Sequence, residues 1–364
     1  MSESKNNLRV LRLFANVNIV TAMIAFLFVV VLCVILHIAR DIFIPLITGW
    51  FIMQILRPVN RLGNKLHLHP YFNMMLSFLI LGVVAYIGGR FISSLAVDFN
   101  DVYTRYSVNL RERYQDLLLS LNITPEIISK MNWTTIGFDF LKSSTGRVVN
   151  FLVDFSNKFF TTIFFLMFML VEAPYVERKI DLVFQGKTGS KIKGVLNAIS
   201  SQVSNYMINQ TALSLATALC VWFILSAMDV ELANVWAVLT FFLNFIPNIG
   251  SIIATILPVV MSFIQFPTVF EPLFVLVTVT AVQMVIGNVI GPKILSDSLG
   301  VSPVVILLSL LFWGMIWGIA GAFLSVPIAS IIKIVCENVA PLKPIAVMMG
   351  NGRNEQTLRK DETL

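Results

Sequence analysis

The chain has 364 residues, of which 57% are hydrophobic and 13% charged, with a formal net charge of +6. A soluble domain carries about 25% charged residues, so this composition excludes a water-soluble enzyme and points to a multi-pass membrane protein. Three cysteines, Cys33, Cys220 and Cys336, cannot make a fully paired disulfide framework.

The first apolar run, Val17 to Leu36, exceeds the 7–15 residues of a signal-peptide core and lacks a small-residue cleavage site. It predicts a retained first span. Further spans are predicted at 42–56, 71–97 and 152–171. Between the third and fourth lies a polar insertion, 98–150. There Leu95, Phe99, Val102, Tyr106, Leu110 and Leu117 recur at helical spacing, and Thr124-Pro125 marks a new helix start. This predicts an external helical arm.

After the fourth span, 190–207 carries Ile192, Val195, Leu196, Ile199, Val203 and Tyr206 on one face, as an amphipathic helix would. Apolar segments follow at 209–228, 234–247, 252–266 and 273–290. A ninth, 303–332, is too long for one straight crossing and predicts a hairpin or broken helix. Most of the 26 Lys and Arg fall at the N-terminus, in 57–70, 172–207 and 291–302, and in the tail. The positive-inside rule places those regions and both termini in the cytoplasm. No basic run is interleaved with aromatics, so the charge does not indicate nucleic-acid binding.

The last third is broken by clustered Pro, Gly and Asn at 244–250, 287–293 and 312–318. Irregular backbone at bilayer depth is tolerated where it is buried in protein or lines a cavity, and transporters build substrate sites this way. Pro247, Gly250, Gly291 and Pro292 are the expected broken backbone. Asn244 and Asn248 flank the first break, and Gln283 and Asn288 lead into the second. Their amides offer donors and acceptors suited to a neutral polyhydroxylated solute, with interhelical packing as the competing role. Trp313, Gly314 and Trp317 are candidates for a gate or wall, or for an interfacial aromatic anchor.

Motifs for other chemistry are missing. There is no His-Glu-x-x-His run; His67 and His69 lie in a loop, and no metal site or cofactor is expected. Gly186-Lys187-Thr188 ends like a phosphate-binding loop, but Asp181 stands where its first glycine belongs, so ATP drive is not expected. Ionisable residues in the spans, including Glu172, sit near span ends rather than centres.

Asn-Phe-Ile-Pro-Asn-Ile-Gly (244–250), Gly287-Asn288 with Gly291-Pro292-Lys293, Leu307 to Gly314, and Leu324-Ser-Val-Pro327 together resemble the autoinducer-2 exporter family. Phe168 to Glu172 before Pro174 fits the same pattern, and the order of elements is similar over nearly the whole chain. The resemblance implies a bacterial inner-membrane protein that exports autoinducer-2. It also implies a symmetric homo-oligomer, with a pentamer suggested, and some relatives are proposed to exchange sodium or protons. For an ion exchanger, Glu172 is the carrier that the resemblance offers.

The expected architecture is an all-α polytopic membrane protein of about eight transmembrane helices, with broken or re-entrant segments in its C-terminal third. Its divisions are N-terminal spans (1–97), an external arm (98–150), a transport core (151–333) and a cytoplasmic tail (334–364). The expected function is export of a small polar solute. A sodium/proton antiporter and an oligomeric channel or scaffold are the alternatives.

Overall fold

The computed structural model describes, with a few single positions excepted, residues 20–66, 72–89, 158–295 and 300–351. The expected external arm at 98–150 and the histidines His67 and His69 lie outside these residues. The described chain is helical apart from turns and one isolated antiparallel bridge, Val301 with Gly350. Among the described residues, five helices are long and apolar enough to cross a membrane. Many large apolar side chains on them are exposed, including Phe160, Phe164 and Phe168 on one helix face. In a protein this apolar, lipid is their natural environment.

Helix α1 (Phe26–Ile38) ends at a turn at Ala39. Helix α2 (Arg40–Lys65) follows, with Asp41 in its first turn and Lys65 in its last, as the helix dipole favours. Pro58 lies inside α2 and has no N–H to give the Gln54 carbonyl. Ser204, from another helix, donates its hydroxyl to that carbonyl at 2.8 Å. Loss of this donor leaves a buried acceptor unpaired, which costs about 1–3 kcal/mol. Ser204→Ala should therefore lower the melting point of the purified protein. Adding Pro58→Ala, which restores the N–H, should recover most of the loss.

Helix α3 (75–83) and helix α4 (Lys158–Val176) pack on α2 through Leu56, Leu81, Leu166 and Leu170. Gly49 lets α4 approach closely: a Cβ there would lie 3.2 Å from the Thr162 carbonyl oxygen.

Helix α5 (Lys187–Ala227) has 41 residues. It is about 60 Å long, roughly twice the apolar thickness of a bilayer. The amphipathic segment 190–207 and the span 209–228 are therefore one helix and not two elements. No proline occurs in this stretch and its only glycines come early, so nothing interrupts the hydrogen-bond ladder. Ile199, Val203, Tyr206 and Met207 are buried in a core shared with α2 and the last long helix. Neighbouring helices cover that face.

Two helical hairpins follow. In the first, α6 (Ala233–Leu243) and α7 (Ile249–Gln265) are joined by a tight turn at 244–248. At 11 residues α6 is about 16 Å long and cannot cross a bilayer. Gln265 at the far end of α7 accepts from the Glu231 amide (2.7 Å) and donates to the Asp229 carbonyl (2.6 Å). That contact closes the base of the hairpin against the end of α5. Gly250 faces the Leu243 carbonyl so closely that a Cβ would collide with it.

Helix α8 (Phe270–Gln283) runs into a π-helical segment, Met284–Ile290, and a last α-turn, Gly291–Leu295. The stretch around Gly291 and Pro292, expected to be unwound, is helical throughout. The Gly291 amide reaches back five residues to the Ile286 carbonyl. A π-turn widens the helix by one residue and accommodates the proline without a break.

The second hairpin pairs α9 (Pro303–Trp317) with α10 (Ile319–Asn338), so 303–332 is a hairpin. Its register is antiparallel: the Ser309 hydroxyl donates to the Ser325 carbonyl at 2.8 Å, and Lys333 Nζ donates to the Gly300 carbonyl at 2.9 Å. The turn falls at Gly318 (φ +63°), four residues beyond Gly314. Gly321 meets the Trp313 carbonyl as Gly250 meets Leu243. The two hairpin tips touch, because the ring of Phe245 stacks on that of Phe323 with centroids 4.4 Å apart. Short helix α11 (Lys343–Met349) is the last described helix, and its end pairs with 300–302 at the base of the second hairpin.

Candidate functional site

Two buried polar atoms lack partners at the tip of the first hairpin, as Ser330 Oγ does on α10. α6 ends at Asn244, whose amide bonds back to the Thr240 carbonyl, so Thr240 and Asn244 share one face a turn apart. Asn244 Oδ1 and Thr240 Oγ1 are both buried without a hydrogen-bond partner. Thr240 is 0% exposed. Its behaviour is unusual here. Thr162, Thr211, Thr217, Thr255, Thr278 and Ser262 each donate to the carbonyl four residues earlier in their own helix. That is the ordinary way to satisfy a hydroxyl in an apolar setting.

Helix α5 supplies the wall beside this tip. Gln210 Nε2 donates to the Asn244 carbonyl at 2.7 Å and lies 3.5 Å from Ser214 Oγ. The turn that follows Leu243 frees that carbonyl, and Gln210 gives it the donor that water would supply outside a membrane. α5 and α8 pack together through Val221, Leu225, Val275 and Val279. One turn further along each face the apolar residues stop: Thr217 and Ser214 follow on α5, and Gln283 follows on α8. Gln283 is only 8% exposed, and its Nε2 has no hydrogen-bond partner. Leaving such groups buried and unpaired costs free energy, which a water molecule or a ligand's polar group would relieve.

Of the expected amides, Gln283 is buried and Asn244 half-buried, and each has one buried side-chain atom without a hydrogen-bond partner. Asn248 is exposed at the end of the turn, with φ +61°. Asn288 is exposed on the π-helical segment. Pro247 is half-buried within the turn, and Gly250 is buried just beyond it.

The tryptophans divide in role. Trp313 is half-buried beside its partner ring, with centroids 4.7 Å apart. Trp317 is buried and donates its indole N–H to the Leu36 carbonyl at 2.9 Å, which makes it a strut between helices. A Cβ on Gly314 would meet open space, so no helix approaches closely there.

Glu172 is half-exposed near the end of α4 and pairs with Lys179. An exposed pair of this kind contributes little to stability. Glu172→Gln should change solute transport by less than about twofold in a vesicle uptake assay, since the pair is remote in character from a desolvated ion carrier.

Thr240, Gln210 and Ser214 are the polar members not singled out in advance as site residues. Their signal was spacing: Thr240 stands four residues before Asn244, and Gln210 four before Ser214. α6, α7 and α9 carry no ionisable residue, so the described hairpin tips present neutral polarity. Among the described residues, no cluster of His, Cys, Asp and Glu is placed to hold a metal ion.

Comparison with known proteins places the chain in a family. The model of AI-2E family transporters matches residues 23–340. A transport-named protein of Haemophilus influenzae is 30% identical over 344 residues, covering 92% of this chain and 98% of the relative. YhhT of Escherichia coli K12, also named for transport, is 31% identical over 335 residues, or 89% and 92% of the two chains. The AI-2 transport protein TqsA of the same organism is 38% identical over 214 residues, covering 57% of this chain and 60% of TqsA. A further relative, from Borreliella burgdorferi, is matched over 64% of its length. With its hairpins, its apolar helices and a match across most of its length, this chain belongs to the AI-2E family of membrane transporters.

Proposed function

We propose that the protein exports a small, neutral, hydroxyl-bearing solute from the cytoplasm, and that autoinducer-2, the solute named for TqsA, is its substrate. The observation that carries this is the set of buried, unpaired atoms of Thr240, Asn244 and Gln283, with hairpin helices α6, α7 and α9 free of ionisable residues. Hydroxyls of a solute can accept from the Gln283 amide and donate to Asn244 Oδ1. Neutral donors and acceptors favour an uncharged ligand, because an ion entering an apolar site needs an opposite charge or a full coordination shell.

The loops rich in Lys and Arg support insertion in the cytoplasmic membrane of a bacterium with both termini inside. The exposed apolar faces of α4 offer area for contact with lipid or with further copies in a homo-oligomer, a pentamer among the symmetric options. Export is tested in cells lacking other autoinducer-2 carriers. Expression should lower intracellular autoinducer-2 and raise it in the medium. Equal partition with and without the protein overturns the proposal.

A further inference from the structure

Two helices end against each other where α1 meets the second hairpin. The last carbonyls of a helix have no donor along the chain, and inside a membrane water does not supply one. α1 stops at the Ala39 turn, which leaves the Leu36 carbonyl in its final turn without a following helical amide. α9 stops at Gly318, whose φ of +63° turns the chain back and leaves the Ile316 carbonyl in the same position. Both ends also carry the partial negative charge of a helix C-terminus, so bringing them together without donors is unfavourable.

Each helix solves the other's problem with the side chain next to its own orphan. Trp317, beside Ile316, donates Nε1–H to the Leu36 carbonyl at 2.9 Å. His37, beside Leu36, lies with Nδ1 2.8 Å from the Ile316 carbonyl. A carbonyl only accepts, so His37 must carry a proton on Nδ1. The pairing joins residues 279 and 281 positions apart. It sits beside the turning point of the hairpin whose tip meets the first hairpin through Phe245 and Phe323.

We propose that this reciprocal cap fixes the turning point of the second hairpin. His37 and Trp317 are then positioning residues for transport, acting through the hairpin rather than through contact with solute. The role in transport rests on the function proposed above; the cap itself does not.

The test uses the full-length purified protein and four variants. Asn at position 37 places its amide nitrogen where Nδ1 lies, whereas Gln places it where Nε2 lies. His37→Asn should therefore retain the cap, and His37→Gln and His37→Ala should lose it. Trp317→Phe keeps the ring and removes the donor. Backbone amide exchange across 316–322 should rise about tenfold or more in the Ala, Gln and Phe variants and stay near wild type in His37→Asn. Transport by the three cap-breaking variants should show a maximal rate changed at least threefold with KM within twofold.

Unchanged exchange in His37→Ala and Trp317→Phe overturns the cap. Asn and Gln behaving alike at position 37 overturns the assigned geometry. Raised exchange with an unchanged maximal rate overturns the positioning role. If the wild type moves no autoinducer-2, the function proposed above fails, and the exchange measurement still decides the cap.

Discussion

Replacing Gln283 with leucine is expected to disable transport without weakening the protein. Gln283 is 8% exposed and its Nε2 has no partner. Leucine has nearly the same volume and removes a buried donor that now costs free energy. Such a change is neutral or stabilising, by up to about 1 kcal/mol. A ligand hydrogen bond contributes about 0.5–1.5 kcal/mol, and tenfold in affinity corresponds to about 1.4 kcal/mol. Saturable transport should fall severalfold, up to about tenfold, while the melting point holds or rises.

Asn244→Ala should behave in the same way, because Oδ1 is likewise unpaired. The Gln210 hydrogen bond survives it, since Gln210 binds the backbone carbonyl of Asn244 and not its side chain. A structural role would produce the opposite pairing, with stability and transport lost together. Full activity in both variants, with normal protein levels, would remove these amides from the site.

The second large effect concerns the two glycines behind the hairpin turns. Gly250 and Gly321 each face a carbonyl of the preceding helix, Leu243 and Trp313, with no room for a Cβ. The neighbour is backbone in both cases and has no rotamer to escape into. Overpacking of this kind costs about 1–3 kcal/mol for one added group. Valine at either position should exceed that range, separate the arms of its hairpin and abolish transport. Gly314→Ala is the control: a Cβ there meets nothing, so stability and transport should stay near wild type. Thermal melting in detergent together with vesicle uptake gives both readouts. Equal tolerance at 250, 314 and 321 would contradict the hairpin packing.

Much of this fold was legible because membrane helices declare themselves by length and composition. The break at 244–250 was visible as Pro247 between two asparagines, and the structure turns there. Residues 303–332 were visibly too long for one crossing, and they fold back at Gly318. Pro292 misled, since a proline next to glycine suggests unwinding. A π-turn is set by hydrogen-bond registry across seven residues and leaves no hydropathy signature. The continuity of α5 was also hidden, because the change from amphipathic to fully apolar sequence near 208 looks like an element boundary.

Site residues were harder to read than elements. Sequence ranked Asn244, Asn248, Gln283 and Asn288 together as amides beside breaks. Burial separates them, with Asn244 and Gln283 contributing buried unpaired atoms and the other two exposed. Trp317 looked like a gate by its spacing from Trp313, yet its indole N–H is committed to Leu36, 281 positions away. Long-range partners of that kind are set by tertiary packing, which local spacing does not encode.

The measurement closest to the central claim is uptake of labelled autoinducer-2 into inside-out proteoliposomes holding wild type or Gln283→Leu. Saturable uptake by wild type, reduced severalfold in a variant that melts no lower, is the result expected of a transporter whose site is built from neutral amides. No saturable uptake by wild type, or equal uptake by both proteins, would contradict it.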